Sequence, residues 1–323
     1  MIVVTGGAGF IGSNIIKALN ARGITDIIIV DDLTDGHKVH NIADLKVHSY
    51  MDKDDFIESV CKNIYKNSYN ITAIFHQGAC SSTTEWDGKY VMKNNFTYSV
   101  KLCNYASHNN IPFIYASSAS VYGLGDNGFS VDEKCELPIN VYAYSKLLFD
   151  NQIRTILQSA NSQIVGLRYF NVYGNREQHK GAMSSVVYHF NKQVLKSNTV
   201  NLFGSYGGYA AGEHLRDFVH VDDIVKVNLW FYDNPQLSGI YNVGTGEAES
   251  FNTVAENVID YHGTGEVEYT KFPEHLENVY QSYTKADISS LRTVGYNEEF
   301  KNIKDGIKEY LDILNCKKIT TIV

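Results

Sequence analysis

The segment Thr5-Gly6-Gly7-Ala8-Gly9-Phe10-Ile11-Gly12 restricts what this chain can fold into more than any other. It lies directly between Ile2-Val3-Val4-Thr5, which reads as a short buried strand, and Phe10 to Ala21, which reads as a helix stopping at Gly23. Glycines at 6, 9 and 12 permit a tight turn, a close approach of backbone to a pyrophosphate and close packing of helix on strand. The unpaired N–H groups and the dipole at the helix start then meet negative charge. A phosphate loop of the Gly-Lys-Ser/Thr type is excluded, because Ser13 follows Gly12 with no lysine between them. The expected ligand is therefore a dinucleotide.

The alternation continues for half the chain. Ile27 to Val30, Ile71 to Phe75, Pro112 to Ala116 and Gln163 to Arg168 read as strands. Asp55 to Lys62, about Asp87 to Asn109 and Tyr142 to Leu157 read as helices between them. Continuous apolar strands separated by helices imply a parallel sheet covered on both faces. The fold expected is α/β, a Rossmann-type parallel sheet with helices on both faces plus a smaller, discontinuous substrate-binding domain. Residues 1–170, with about 217–245 returning, form the dinucleotide-binding part; 171–216 and 246–323 form mainly the substrate part. In that second half, Ala182 to Lys196 and Phe251 to Tyr261 read as helices, Val200 to Phe203 and Val267 to Thr270 as strands, and Gly204 to Glu213 as a glycine-rich loop.

Net charge −8 argues against a surface built for nucleic acid or anionic lipid, while leaving room for a local basic pocket. No apolar run approaches the 18 residues a membrane span needs, and the N-terminus lacks the basic and cleavage regions of a secretory signal. Five cysteines, separated by 19, 23, 32 and 181 residues, suit a reduced, cytoplasmic setting with no structural metal.

Asp31 closes the second strand 19 residues after Gly12, where a carboxylate grips ribose hydroxyls and favours NAD. Asp32 sits beside it, and Lys38 and Lys53 follow, either as partners of a 2′-phosphate or as solvated surface charges. Gly78-Ala79, after the strand ending at Phe75, falls where the crevice beyond the strand ends should lie. Tyr142 and Lys146 are four apart on one helix face, so the ammonium is expected to pull the phenol pKa down. With a hydroxyl from Ser118 at a neighbouring strand end, this trio suits proton transfer at an alcohol while a nicotinamide exchanges hydride. Arg216-Asp217 reads either as a diphosphate grip or as a surface ion pair.

The order glycine loop, Ser118, Tyr-x-x-x-Lys resembles the extended short-chain dehydrogenase/reductases, the sugar-nucleotide epimerases and dehydratases. The strings TGGAGFIGSNI (5–15), HQGACSSTTEWDGKY (76–90), YASSASVYG (115–123), NVYAYSK (140–146), SQIVGLRYFNVYGNRE (162–177), HKGAMSSV (179–186) and RDFVHVDD (216–223) narrow this to the ADP-L-glycero-D-manno-heptose 6-epimerase family, over nearly the whole chain. That resemblance implies tightly bound NADP, one per subunit, with NAD possible. Its shell would be Phe10, Ile11, Asp31, Asp32, Lys38, Lys53, Gln77, Gly78, Ala79, Cys80, Ser81, Asn94, Lys146, Val172 and Lys180. Tyr142 and Lys180 would be two acid/bases, and Ser118, Asn171, Ala182, His189, Phe203, Gly204, Ser205, Tyr206, Arg216 and Tyr280 would contact ADP-heptose. The resemblance further implies a cytoplasmic homopentamer that makes heptose for the lipopolysaccharide inner core. Without it, Lys180 reads as a surface loop lysine and His189 as a structural histidine. The family often has Asp-Asn where this chain has Asp31-Asp32, which leaves NADP against NAD open.

Rival readings are a UDP-hexose 4-epimerase, a sugar-nucleotide dehydratase and a non-catalytic NADP sensor. A dehydratase would want a carboxylate just before position 118, and Ser117-Ser118-Ala119 offers none. A sensor should have lost Tyr142 or Lys146, and both are present.

Overall fold

Seven strands form the central sheet of the computed structural model, which describes residues 1–62 and 70–316. They are β1 (Ile2–Thr5), β2 (Ile27–Asp31), β3 (Ser49–Asp52), β4 (Ala73–His76), β5 (Phe113–Ser118), β6 (Ile164–Tyr169) and β11 (Gly239–Val243). All pair in parallel, in the order β11-β6-β5-β4-β1-β2-β3. Successive residues of β1 face opposite ways: Ile2 and Val4 pack with α1 (Phe10–Ala21) and α7 (Val221–Asp233), and Val3 with α2 (Lys53–Cys61), α4 (Tyr98–His108) and α5 (Val141–Leu157). Burial on both faces is why these strands read as unbroken apolar runs. From β1 the chain runs outward through β2 and β3, then crosses back to β4 on the other side. The crevice at that reversal, beyond the carboxyl ends of β1 and β4, is the binding position of such sheets.

The second half builds a separate core. Parallel pairs β7 (Asn171–Tyr173) with β10 (Phe218–His220) and β8 (Thr199–Phe203) with β13 (Glu266–Thr270) lie with an antiparallel pair, β9 (Leu215–Arg216) with β12 (Glu249–Ser250). Tyr173, Phe190, Leu202, Val258 and Ile307 pack together there, drawn from these strands and from α6 (Val186–Ser197), α8 (Phe251–His262) and α10 (Ile303–Cys316). Residues 317–323, assigned above to the substrate part, lie outside the described residues.

Three expectations change in detail. The long helix after β4 is α3 (Gly88–Val91), a π turn at Met92–Thr97, and α4. The helix expected from Ala182 starts only at Val186, because Ser185 is extended and its hydroxyl caps the Tyr188 N–H at 3.3 Å. Gln178–Met183 forms instead a 3₁₀ turn broken at Gly181, whose φ is +56°. The helix expected from Asp55 begins at Lys53, where the Asp52 side chain accepts from the Asp54 N–H.

Under the glycine loop runs a buried hydrogen-bond chain: Thr5 Oγ1 to His76 Nδ1 at 2.6 Å, His76 Nε2 to Ser99 Oγ at 2.8 Å, and Ser99 Oγ to the Asn95 carbonyl at 2.5 Å. Burial, followed by the nearby Lys146 charge, holds the His76 imidazole down at about 3, so it stays neutral in the fold. The unfolded chain takes up this proton below its ordinary pKa near 6.5, and the folded chain only near 3. Stability is therefore lost as pH falls through that window, by up to about 1.4 kcal/mol per pH unit for this one group. Urea denaturation of the wild type and His76→Phe between pH 6.5 and 5 should give a shallower loss in the variant; equal slopes would contradict the assignment.

Candidate active site

The glycine loop packs against itself and against the turn after β4. A Cβ on Gly12 would stand 2.2 Å from the Gly6 carbonyl oxygen, and one on Gly6 2.7 Å from the Gly78 nitrogen, with Gly6 at φ +64°. No side chain caps the start of α1 at Gly9, so its first N–H groups face the crevice ready for an anion. These features fit a pyrophosphate held by backbone. Gly78, read above as a crevice residue, is thus in contact with the loop itself, its N–H donating to Thr5 Oγ1 at 3.2 Å.

Two adjoining hollows share Gly6, Asp31, Lys38, Gly78 and Ala79. The first is closed by Asp32, Lys53, Cys80, Asn94 and Tyr98. Here Asp31 accepts from the Ala8 N–H at 2.8 Å and from Lys38 Nζ at 2.9 Å. Asp32 accepts from Lys53 Nζ at 2.8 Å and from the Thr34 N–H, which hold its carboxyl well below the usual range. Both lysines are thus neither free nor merely solvated: each is bound to one aspartate. The Asn94 amide is turned to the Tyr90 carbonyl. Its neighbour Asn95, overlooked in the sequence, is 1% exposed and ties Cys80 to Ser145 of α5. The π turn puts both asparagines to use, and helical periodicity carries no sign of it.

The second hollow, about 460 Å³, holds Phe10, Ile11, Gln77, Ser81, Ser118, Tyr142, Lys146, Val172 and Lys180. The Tyr142 phenol lies beside Ser118, whose hydroxyl accepts from Ser120. Lys146 is buried, donates from Nζ to the Ala116 carbonyl at 2.8 Å and lies 6.0 Å from the Tyr142 ring centroid. Burial lowers its pKa to about 8, against the opposing pull of Asp150 and Cys80. The expected depression of Tyr142 by Lys146 is not what governs the phenol: burial pushes it up, Ser118 pulls it back, and the ammonium is committed to the carbonyl. Lys180 lines the same hollow, its Nζ 5.4 Å from the Phe10 ring centroid, and burial lowers its pKa. His179, Tyr169, Phe170 and Met183 complete the lining and were not anticipated.

The predicted substrate residues gather only in part. Arg216, 7% exposed, lies over the rings of Tyr280 at 5.0 Å and Phe251 at 5.6 Å. Phe203 meets Tyr280 at 6.2 Å, and Tyr206 stacks on Phe272 at 4.0 Å. The ion-pair alternative for Arg216 fails: Asp217 instead accepts from Thr245, Gly246 and Ala286, and among the described residues no carboxylate pairs with the guanidinium. A buried, uncompensated guanidinium suits an incoming anion. Gly204 and Ser205 continue from Phe203, and Asn171 and Ala182 are exposed. His189 contacts the Ala182 carbonyl at 3.3 Å and lines a different hollow with Lys192 and Lys196.

A doubly covered parallel sheet, a glycine loop at its reversal point and a Ser/Tyr/Lys trio above it define a nicotinamide-dependent enzyme acting on an alcohol carbon. Residues 2–244 match the NAD dependent epimerase/dehydratase family, and the chain belongs to that family. It is 54% identical over 312 residues, 97% of both chains, to the ADP-L-glycero-D-manno-heptose-6-epimerase of Alkalilimnicola ehrlichii. Among solved structures it resembles the Helicobacter pylori ADP-L-glycero-D-manno-heptose-6-epimerase, with TM-score 0.85, 31% identity and coverage of 97% of this chain and 96% of that one. The Thermus thermophilus UDP-glucose 4-epimerase in complex with NAD follows at TM-score 0.79 and 28% identity, covering 97% and 98%. Among the described residues no helix is long and apolar enough to cross a membrane.

Proposed function

We infer that this protein is an epimerase interconverting ADP-D-glycero- and ADP-L-glycero-D-manno-heptose at C6″. The observation carrying this reading is one cleft lined both by Tyr142, Ser118 and Lys146 and by a second group able to transfer a proton, Lys180. The glycine loop, Phe10, Ile11, Gln77 to Ser81 and Val172 would hold NADP, which when bound would supply reversible hydride exchange at C6″. Tyr142 exchanges the hydroxyl proton for one configuration, with Ser118 holding the same oxygen. Lys180 exchanges it for the other configuration after the transient 6″-ketone reorients, so that each face of the carbonyl has its own acid/base. Arg216 anchors the diphosphate while the sugar turns, with Tyr280, Phe203 and Tyr206 around it. The division into a dinucleotide-binding part and a substrate part is proposed with it, as are a homopentamer and a cytoplasmic site. Light scattering giving a monomer would remove the pentamer.

Incubation with ADP-D-glycero-D-manno-heptose and no added cofactor should yield the L-glycero epimer without net NADPH. No conversion, together with turnover of a UDP-hexose, would move the protein to a 4-epimerase.

NADP is preferred in this reading because Lys38 and Lys53 both face the adenosine side. In the protein as it stands the two lysines are matched by two aspartates, so Asp32 opposes a 2′-phosphate. Asp32→Asn should free Lys53 and raise the affinity for NADP relative to NAD by about tenfold, while Lys53→Met should shift it the other way. Fluorescence titration of both cofactors measures this, and an unchanged ratio in both variants argues for NAD.

A further inference from the structure

The segment presenting Lys180 is pinned by Arg176 and Glu177, neither of which lines the cleft. On one side Arg176, only 3% exposed, donates to the Asn41 carbonyl and to Asp44 at 2.7 Å. There too Asn41 Nδ2 lies 3.0 Å from both the Ala8 carbonyl oxygen of the glycine loop and His179 Nδ1. On the other side stands Glu177, fully buried. Its carboxylate accepts from the Ser185 N–H at 2.5 Å, the Ser185 hydroxyl at 2.6 Å and the Gly174 N–H at 3.3 Å. Its own carbonyl accepts from the Lys180 N–H at 2.9 Å and from Ser184 Oγ at 3.1 Å. One side chain therefore closes the ends of the segment 174–185, with Lys180 at its crest.

The surroundings of Glu177 are one-sided. Each of those three carboxylate contacts is a donor, an arrangement that fits the ionised form despite burial raising its pKa. The Tyr310 phenol of α10 also faces it. Lys180 Nζ, for its part, makes no hydrogen bond or ion pair to a described residue. The titratable groups lining the cleft with it are His179 beside it, Tyr142 and Lys146 of α5, Tyr169 of β6, and Asp31 and Lys38 toward the adenosine side. Glu177 acts on the ammonium through space and favours its charged form, while burial disfavours it.

We propose that Glu177 is the positioning residue of Lys180: its carboxylate holds the turn that carries the lysine into the cleft. This rests on Lys180 being the second acid/base of the proposed epimerase. It explains why a loop lysine can act with the definition of a helix-borne group: the turn is fixed by buried hydrogen bonds, and the charge that tunes it lies within that turn.

The test uses the full-length holoenzyme, with kcat and kcat/KM followed against pH from each epimer, alongside cofactor content and melting temperature. Lys180→Met first identifies the limb of the pH profile that belongs to Lys180. Glu177→Gln should keep its cofactor, lose at least tenfold in kcat and move that limb to lower pH by half a unit or more, because the lysine loses its neighbouring negative charge. Ser185→Ala, which leaves the charge in place, should lower kcat several-fold with the limb unmoved. A Glu177→Gln enzyme with wild-type kcat and an unmoved limb overturns the proposal, and so does wild-type kcat in Ser185→Ala should Glu177→Gln fail to fold. Full activity of Lys180→Met in both directions would instead overturn the role of Lys180 in the proposed function, a distinguishable result.

Discussion

Tyr142→Phe is expected to lower epimerisation by about 10²–10⁴-fold, the usual worth of a placed proton-transfer group, with little change in fold. Beside the phenol stands the Ser118 hydroxyl, which stays bonded to Ser120, so the substitution strands no charge. Lys180→Met should cost a comparable factor, because Nζ has no structural partner among the described residues to lose. The two differ in which reaction survives. With each epimer supplied separately in a single turnover, the variant lacking one group should retain the half-reaction served by the other. Full activity of either variant in the complete reaction would sink the two-base scheme.

Arg168→Met is expected to destabilise the protein by about 3–5 kcal/mol, the scale for stripping one partner from a buried ion pair. Arg168 is fully buried, donating from Nε to Asp150 at 2.8 Å, from Nη2 to Glu136 at 2.6 Å and from Nη1 to the Tyr122 hydroxyl at 3.0 Å. Glu136 would keep Arg154, but Asp150 would retain only the hydroxyls of Tyr115 and Ser117. Asp150 lies one turn beyond Lys146 on α5, and Ser117 adjoins Ser118 on β5, so the same network seats both elements that carry the Tyr142 trio. Urea denaturation measures the loss, and a change below about 1 kcal/mol would mean that solvent or a neighbour neutralises Asp150. Combining Asp150→Leu with Arg168→Met should recover part of the stability, since no buried charge is then left alone.

Much of this fold could be read from the chain because its strands are buried twice. Ile2 to Thr5 and Ile27 to Asp31 are buried at every position, which writes an apolar run into the sequence. β3 escaped notice for the converse reason: Ser49 to Asp52 is a half-exposed edge with no apolar run to see. The two- and three-residue pairs β7 with β10 and β9 with β12 are too short for any periodicity. In the site, spacing alone pointed to the glycine loop, Asp31 and the Tyr142/Lys146 pair, because each belongs to a local pattern of strand, turn or helix. Lys180 was visible only through the resemblance, and the residues alone left Arg216 between a diphosphate grip and a surface ion pair, because both are placed by contacts with distant segments. Asn95, His179 and Glu177 were not seen at all.

The sequence by itself determined the doubly covered parallel sheet, the crevice at its reversal point and one proton-transfer pair. All three follow from local chemistry: side-chain periodicity, glycine conformational freedom and helix spacing. Only the tertiary structure decided which charges meet. It bound Lys38 and Lys53 to Asp31 and Asp32, turned Lys146 to a backbone carbonyl, left Arg216 without a carboxylate and brought Lys180 into the same hollow as Tyr142. Such outcomes depend on distance and burial between segments as far apart in the chain as Phe10 and Lys180, and no local pattern encodes either.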